Sequence, residues 1–82
     1  MNSTQVPQSI LDDIDKTIVL YKGTFPVSKF PWIESDIADM EHIKNLLEQG
    51  LVRTAWACAN NLDTLVRDYF SNDTWDYMRR NR

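Results

Sequence analysis

Apolar residues recur at intervals of three and four along three stretches of this 82-residue chain. That spacing places them on one face of an α-helix. The three stretches predict helices over residues 9–22, 35–49 and 52–70, and a shorter stretch predicts a fourth helix over 73–80. The sequence therefore predicts an all-α fold, a compact three-helix bundle with a short C-terminal fourth helix.

Residues that favour helix ends stand at the borders of these stretches. Ser9, Ser35 and Ser71 precede helical patterns, where a serine side chain can accept a hydrogen bond from a free backbone amide. Gly50 follows the second pattern and suits the left-handed turn that ends many helices. Residues 17–21 (TIVLY) are β-branched and aromatic, so a strand is the alternative for the last turns of the first helix.

Two segments outside the helical patterns differ in their chemistry. Residues 1–8 (MNSTQVPQ) are polar and contain a proline, which predicts a loose N-terminal leader to a single small domain. Residues 24–33 (TFPVSKFPWI) hold two prolines among three aromatic residues, and each proline disfavours helix in the residue before it. We expect an aromatic linker between the first two helices that packs on them or meets a partner.

The composition excludes several classes of chemistry. The chain has two glycines, so no glycine-rich phosphate loop can form. Cys58 is the one cysteine and His42 the one histidine, which excludes an internal disulfide and a Cys/His zinc cluster. Cys58 falls on the apolar side of the third helix, and His42 points away from the core side of the second. We predict no enzyme activity, no cofactor and no metal, and, without a long apolar run, a cytoplasmic protein that spans no membrane.

Nine aromatic residues in so short a chain are the strongest remaining signal. Tryptophan, tyrosine and arginine dominate the binding energy of protein interfaces. We predict a patch that joins the linker to the C-terminal segment and binds a larger protein. Short acidic chains of this kind are common among inhibitors and adaptors of bacteriophages and mobile elements. The interface candidates are Phe25, Phe30, Trp32, Trp56, Trp75, Tyr77, Arg79 and Arg80.

Two alternatives stay open. Residues 46–53 (LLEQGLVR) resemble the point at which helix-turn-helix and winged-helix proteins close a helix before the one that enters DNA. That resemblance implies a transcriptional regulator, less favoured because the net charge is −3. Its candidate DNA contacts are Arg53, Thr54, Asn60 and Arg67. The other alternative is a structural homodimer, formed through the wide apolar face of the third helix.

Overall fold

Five α-helices follow one another along residues 6–82, the part of the chain that the computed structural model describes. They are α1 (Gln8–Thr24), α2 (Ile33–Glu48), α3 (Val52–Asn60), α4 (Thr64–Tyr69) and α5 (Asn72–Asn81). The described residues contain no strand, so the all-α prediction is confirmed, and residues 17–21 belong to α1. Residues 1–5 of the predicted leader lie outside the described residues. The C-terminal end of the predicted leader is one residue too long, because α1 begins at Gln8.

The predicted helix over 52–70 is wrong in its continuity, since the chain breaks it into α3 and α4. Asn60 and Asn61 donate their side-chain amides to the carbonyls of Trp56 and Ala57, at 2.8 and 3.1 Å. Asparagine competes in this way with the backbone hydrogen bonds of a helix. Asp63 then adopts an extended backbone (φ −59°, ψ 149°), and its carbonyl accepts the amide of Arg67 as α4 begins.

The predicted caps have mixed outcomes. Gly50 has φ 78°, and the Gly50 and Leu51 amides donate to Leu47 and Leu46, the hydrogen-bond pattern of a Schellman motif. Ser71 accepts a hydrogen bond from the Thr74 amide and caps α5 as predicted.

The predictions for Ser9 and Ser35 are wrong. No side chain caps α1 or α2. Backbone carbonyls of the preceding residues do this work, because Pro7 accepts the amides of Ile10 and Leu11, and Phe30 accepts the amide of Ile33.

The helices enclose one apolar core. α1 packs on α2 and α5, and α3 also packs on α2 and α5, while α4 contributes Val66 to the core. Lys44 pairs with Asp15 and Tyr21 bonds to Asp36, which shows that α1 and α2 run antiparallel. No helix in the described range is both long and apolar enough to cross a bilayer. The apolar side chains with no solvent exposure are Ile14, Tyr21, Met40, Ile43, Leu47, Ala55, Ala59, Val66 and Met78.

Candidate interaction surface

The segment between α1 and α2 folds into a compact aromatic turn. The amides of Lys29 and Phe30 both donate to the Pro26 carbonyl, at 3.0 and 2.9 Å, and this turn brings the ends of the segment together. The Phe25 ring lies at its centre, with its centroid 5.6 Å from Phe30 and 5.7 Å from Trp32. Edge and tilted contacts at these distances are the favoured geometry for aromatic pairs.

Two tyrosines tie this turn to the helices. The Tyr21 ring lies 5.2 Å from Phe25 and 5.0 Å from Tyr69 of α4, and Tyr69 lies 6.1 Å from Phe25. The sequence carried a signal for Tyr21, which stands four residues before Phe25, about one helical turn away. It carried none for Tyr69, which lies far away along the chain. We call the five rings Tyr21, Phe25, Phe30, Trp32 and Tyr69 the linker cluster.

A buried hydrogen bond anchors the linker cluster to α2. The Tyr21 hydroxyl donates to a carboxylate oxygen of Asp36 at 2.7 Å, and both side chains are buried. Burial raises the pKa of the Tyr21 phenol, and the bond to Asp36 raises it further. Asp36 also lies in the first turn of α2, where the helix dipole stabilises a negative charge. The cluster therefore rests on a fixed base.

Trp32 forms the solvent-exposed side of the linker cluster. Its side chain is 49% exposed although its ring contacts Phe25 and Phe30. Val27, in the same turn, is also exposed. A large apolar ring that is held by its neighbours and still open to solvent can bind a partner without a large loss of conformational freedom.

A second group of rings lies where α5 packs on α3. The Trp75 ring lies 5.7 Å from Trp56 and 5.9 Å from Phe70, and its Nε1–H donates to the Arg67 carbonyl at 3.3 Å. The Arg82 guanidinium lies over the Trp56 ring, 4.9 Å from its centroid. We call Trp56, Phe70 and Trp75 the terminal cluster. Phe70 is buried, while both tryptophans are partly buried.

Five of the predicted interface residues thus divide between the two clusters, Phe25, Phe30 and Trp32 in the first and Trp56 and Trp75 in the second. No ring contact within residues 6–82 joins the linker cluster to the terminal cluster, although Tyr69 and Phe70 are neighbours in the chain. Arg79 and Arg80 are exposed, and Arg79 pairs with Asp76 at 2.6 Å. Tyr77 is partly buried, and this burial raises its pKa. Whether these residues bind a partner stays a prediction.

An open cleft of about 530 Å³ lies between α1, the linker and α2. Val27, Ile33, Ile37 and Ala38 give it apolar walls. Three charged residues complete the lining, Lys22 from α1 and Glu34 and Glu41 from α2. Residues of α3, α4 and α5 do not line it.

His42 and Cys58, separated by sixteen positions in the sequence, line one small cleft of about 210 Å³ with Asp39 and Asn61. The sequence carries no signal for this proximity, because it depends on how α2 packs against α3. His42 is exposed as predicted, and Cys58 is partly buried. No hydrogen bond recorded for residues 6–82 joins these four side chains, and the same range holds no group of three or more His, Cys, Asp and Glu that could bind a metal ion.

The candidate DNA contacts do not share one helix. Arg53, Thr54 and Asn60 are exposed on α3, while Arg67 is exposed on α4, beyond the break. The side-chain amide of Asn60 also donates to the Trp56 carbonyl. DNA binding stays a prediction, with a surface divided between two short helices.

The wide apolar face of the third helix is largely used within the chain. Val52, Ala55, Ala59 and Val66 are buried in the core. Leu51 and Leu65 remain exposed at its margins. A homodimer through this face stays a prediction, although little of the face is open to a second copy.

Comparison with known proteins finds no relative whose binding surface could be compared with this one. No protein-family model, no curated protein and no solved structure matches the chain.

Proposed function

We propose that this chain is a non-enzymatic protein-interaction module, a small inhibitor or adaptor that binds a larger protein. Its contact surface is the solvent side of the linker cluster, carried on a helical bundle. The proposal depends on one observation, the 49% exposure of Trp32 on a firmly packed aromatic base.

The energetics of protein interfaces support this choice. Tryptophan is enriched among the few residues that carry most of the binding energy, and such residues bind best when they are held in place before contact. Trp32 meets both conditions, because Phe25 and Phe30 fix its ring from one side. Val27 extends the apolar surface beside it. A partner with an apolar pocket and a polar rim would fit this surface.

Affinity capture with matched variants tests the proposal. The tagged chain, its Trp32→Ala variant and a Leu65→Ala control are used to capture proteins from the native host. Leu65 suits the control because it is an apolar residue of α4, 40% exposed, that belongs to neither aromatic cluster. We expect wild type and control to retain the same protein, and Trp32→Ala to retain at least tenfold less.

Each variant must first give the wild-type circular dichroism spectrum. If Trp32→Ala retains the captured protein undiminished, the linker surface is the wrong one. Capture of no protein by any folded variant would contradict an inhibitor or adaptor function as such. Arg79→Ala and Arg80→Ala, in the same experiment, test whether the C-terminal segment adds to the contact.

A further inference from the structure

The most exposed large apolar side chain in the described range lies on the outer side of α1. Val19 is 70% exposed, in the middle of a helix whose other face fills the core. Lys16 and Lys22 stand three residues to either side of it, and each step of three turns the direction by about 60° around the helix. The three residues therefore form one diagonal row, with the valine between two cations.

The cleft beside this row carries two carboxylates along α2, while Lys22 of the row lines its α1 side. Glu34 and Glu41 are seven residues apart, so they lie on the same side of α2, about 10 Å apart along its axis. Ile37 and Ala38 lie between them and line the apolar wall. None of Lys16, Lys22, Glu34 and Glu41 forms an ion pair among the described residues, whereas Asp15 and Lys44 on the same two helices do.

The antiparallel register places these two sets at the same height. In an antiparallel pair of helices, residues at the same height have a nearly constant sum of residue numbers. The Asp15–Lys44 and Tyr21–Asp36 contacts fit this relation. By that register, Lys22 lies level with the region of Ile37, and Lys16 lies level with His42. The cationic row of α1 therefore lies beside the stretch of α2 that carries Glu34 and Glu41.

We infer that two copies of this chain form a symmetric dimer, in which the Lys16–Val19–Lys22 row of each copy lies on the cleft between Glu34 and Glu41 of the other. A twofold axis along the groove between α1 and α2 keeps every residue at its height and exchanges the two helices. It places α1 of each copy over α2 of the other.

This arrangement satisfies both copies at once. Val19 enters the apolar cleft, and the two lysines face the two glutamates. Since the contact is isologous, it occurs twice, which doubles the buried apolar area and the number of charge pairs. The dimer does not depend on the proposed function, because Trp32 does not line the cleft.

Sedimentation of the full chain from 1 to 200 μM tests the inference. We expect the wild type to dimerise in this range and Val19→Asp to raise the dimer dissociation constant at least tenfold. Leu20→Asp is the matched control, because Leu20 is also well exposed (59%) and points about 100° further around the same helix. It should leave the dissociation constant within threefold of wild type.

A charge exchange keeps the test decisive if Val19→Asp does not fold. One variant carries Glu34→Lys and Glu41→Lys, and the other carries Lys16→Glu and Lys22→Glu. Each variant alone should be monomeric, since like charges then face each other across the interface. Their equimolar mixture should form a heterodimer, because each lysine row meets a glutamate row. Introducing Val19→Ala into both variants should weaken that heterodimer, because the valine contact is lost while the net charges of both variants stay the same.

Three results would overturn the inference. The wild type could remain monomeric at 200 μM. The dimer could persist unchanged in Val19→Asp and dissociate in Leu65→Asp, which would indicate the third-helix face instead. The charge-exchanged variants could fail to associate when mixed, although both are folded.

Discussion

The linker cluster and the terminal cluster are built from the same kinds of ring, yet they leave different surfaces in solvent. In the terminal cluster, both tryptophans are partly covered, Trp75 gives its N–H to the Arg67 carbonyl, and Arg82 lies over Trp56. In the linker cluster, Trp32 is packed on one side only and stays half exposed.

The difference lies in how each cluster is connected to the core. The terminal cluster closes over α3 and α5, which pack on each other. Phe70 belongs to the core and both tryptophans pack against it, so we expect these rings to contribute mainly to stability. The linker cluster is anchored below by Tyr21 and Asp36 and therefore does not need Trp32 to hold it. Aromatic residues of equal size can thus serve folding in one place and remain open to a partner in another.

Truncation of one tryptophan in each cluster should separate the two roles. We expect Trp75→Ala to lower the free energy of unfolding by about 3 kcal/mol, because it removes two ring contacts and leaves a cavity beside Phe70. Trp32→Ala should cost about half as much, since half of its side chain is already in solvent. Urea denaturation followed by circular dichroism measures both values.

The partner assay should give the opposite order. Trp75→Ala should keep the captured protein as long as it is folded, whereas Trp32→Ala should release it. Equal losses of stability in the two variants would contradict the distinction between the clusters, and so would release of the partner by Trp75→Ala alone.

The base of the linker cluster gives a second test. Tyr21→Phe should cost about 2 kcal/mol, because the buried Asp36 carboxylate loses the hydroxyl that donates to it. In a double-mutant cycle, Asp36→Asn should cost much less in the Tyr21→Phe background than in the wild type. Additive losses would mean that the bond contributes little.

The same bond predicts a dependence on alkaline pH. The pKa of Tyr21 is raised above the ordinary value of about 10, so the folded state holds this proton more tightly than the unfolded state does. The resulting stabilisation is complete below pH 10 and is lost as pH rises above it. Burial raises the pKa of Tyr77 in the same direction. Tyr21→Phe should therefore reduce the slope of stability against pH above 10, and Tyr77→Phe should reduce it less.

Local sequence patterns predict the helices well and the contacts between clusters poorly. The periodic apolar residues of α1 and α2 and the Gly50 turn are signals contained within a few neighbouring positions, and the structure has them. The break at residues 61–63 was missed because the apolar spacing of the third helix continues across it. Asn60 and Asn61, whose side chains bond to carbonyls four residues back, were the local signal for that break.

The candidate surface was predictable in type but not in arrangement. The prolines and aromatic residues of the linker predicted a segment that packs on the helices or meets a partner, and Trp32 was one of the predicted interface residues. The separation into two clusters could not be read from the sequence, since it depends on which helix each ring meets. Tyr69 meets Phe25 and Tyr21, while Phe70, its neighbour, meets Trp75. Tyr69, the last residue of α4, and Phe70, which follows it, thus join different clusters because their rings meet different helices.

The smallest expected effect concerns how α5, which carries Trp75, is seated on α1. Ser71 caps α5 by accepting the Thr74 amide, and the hydroxyls of Ser71 and Thr74 both donate to the Asp13 carboxylate of α1. Ser71→Ala removes the cap and one of the two bonds to Asp13, so we expect a loss of about 1 kcal/mol in urea denaturation. Ser9→Ala is the matched control and should change stability by less than about 0.5 kcal/mol, because Ser9 is exposed and caps no helix.

If the terminal cluster depends on these bonds to Asp13, Ser71→Ala should also shift the fluorescence of Trp75 towards longer wavelength. Trp75→Ala combined with Ser71→Ala should then show no such shift. An unchanged spectrum together with the full loss of stability would mean that the cap holds the helix but not the cluster.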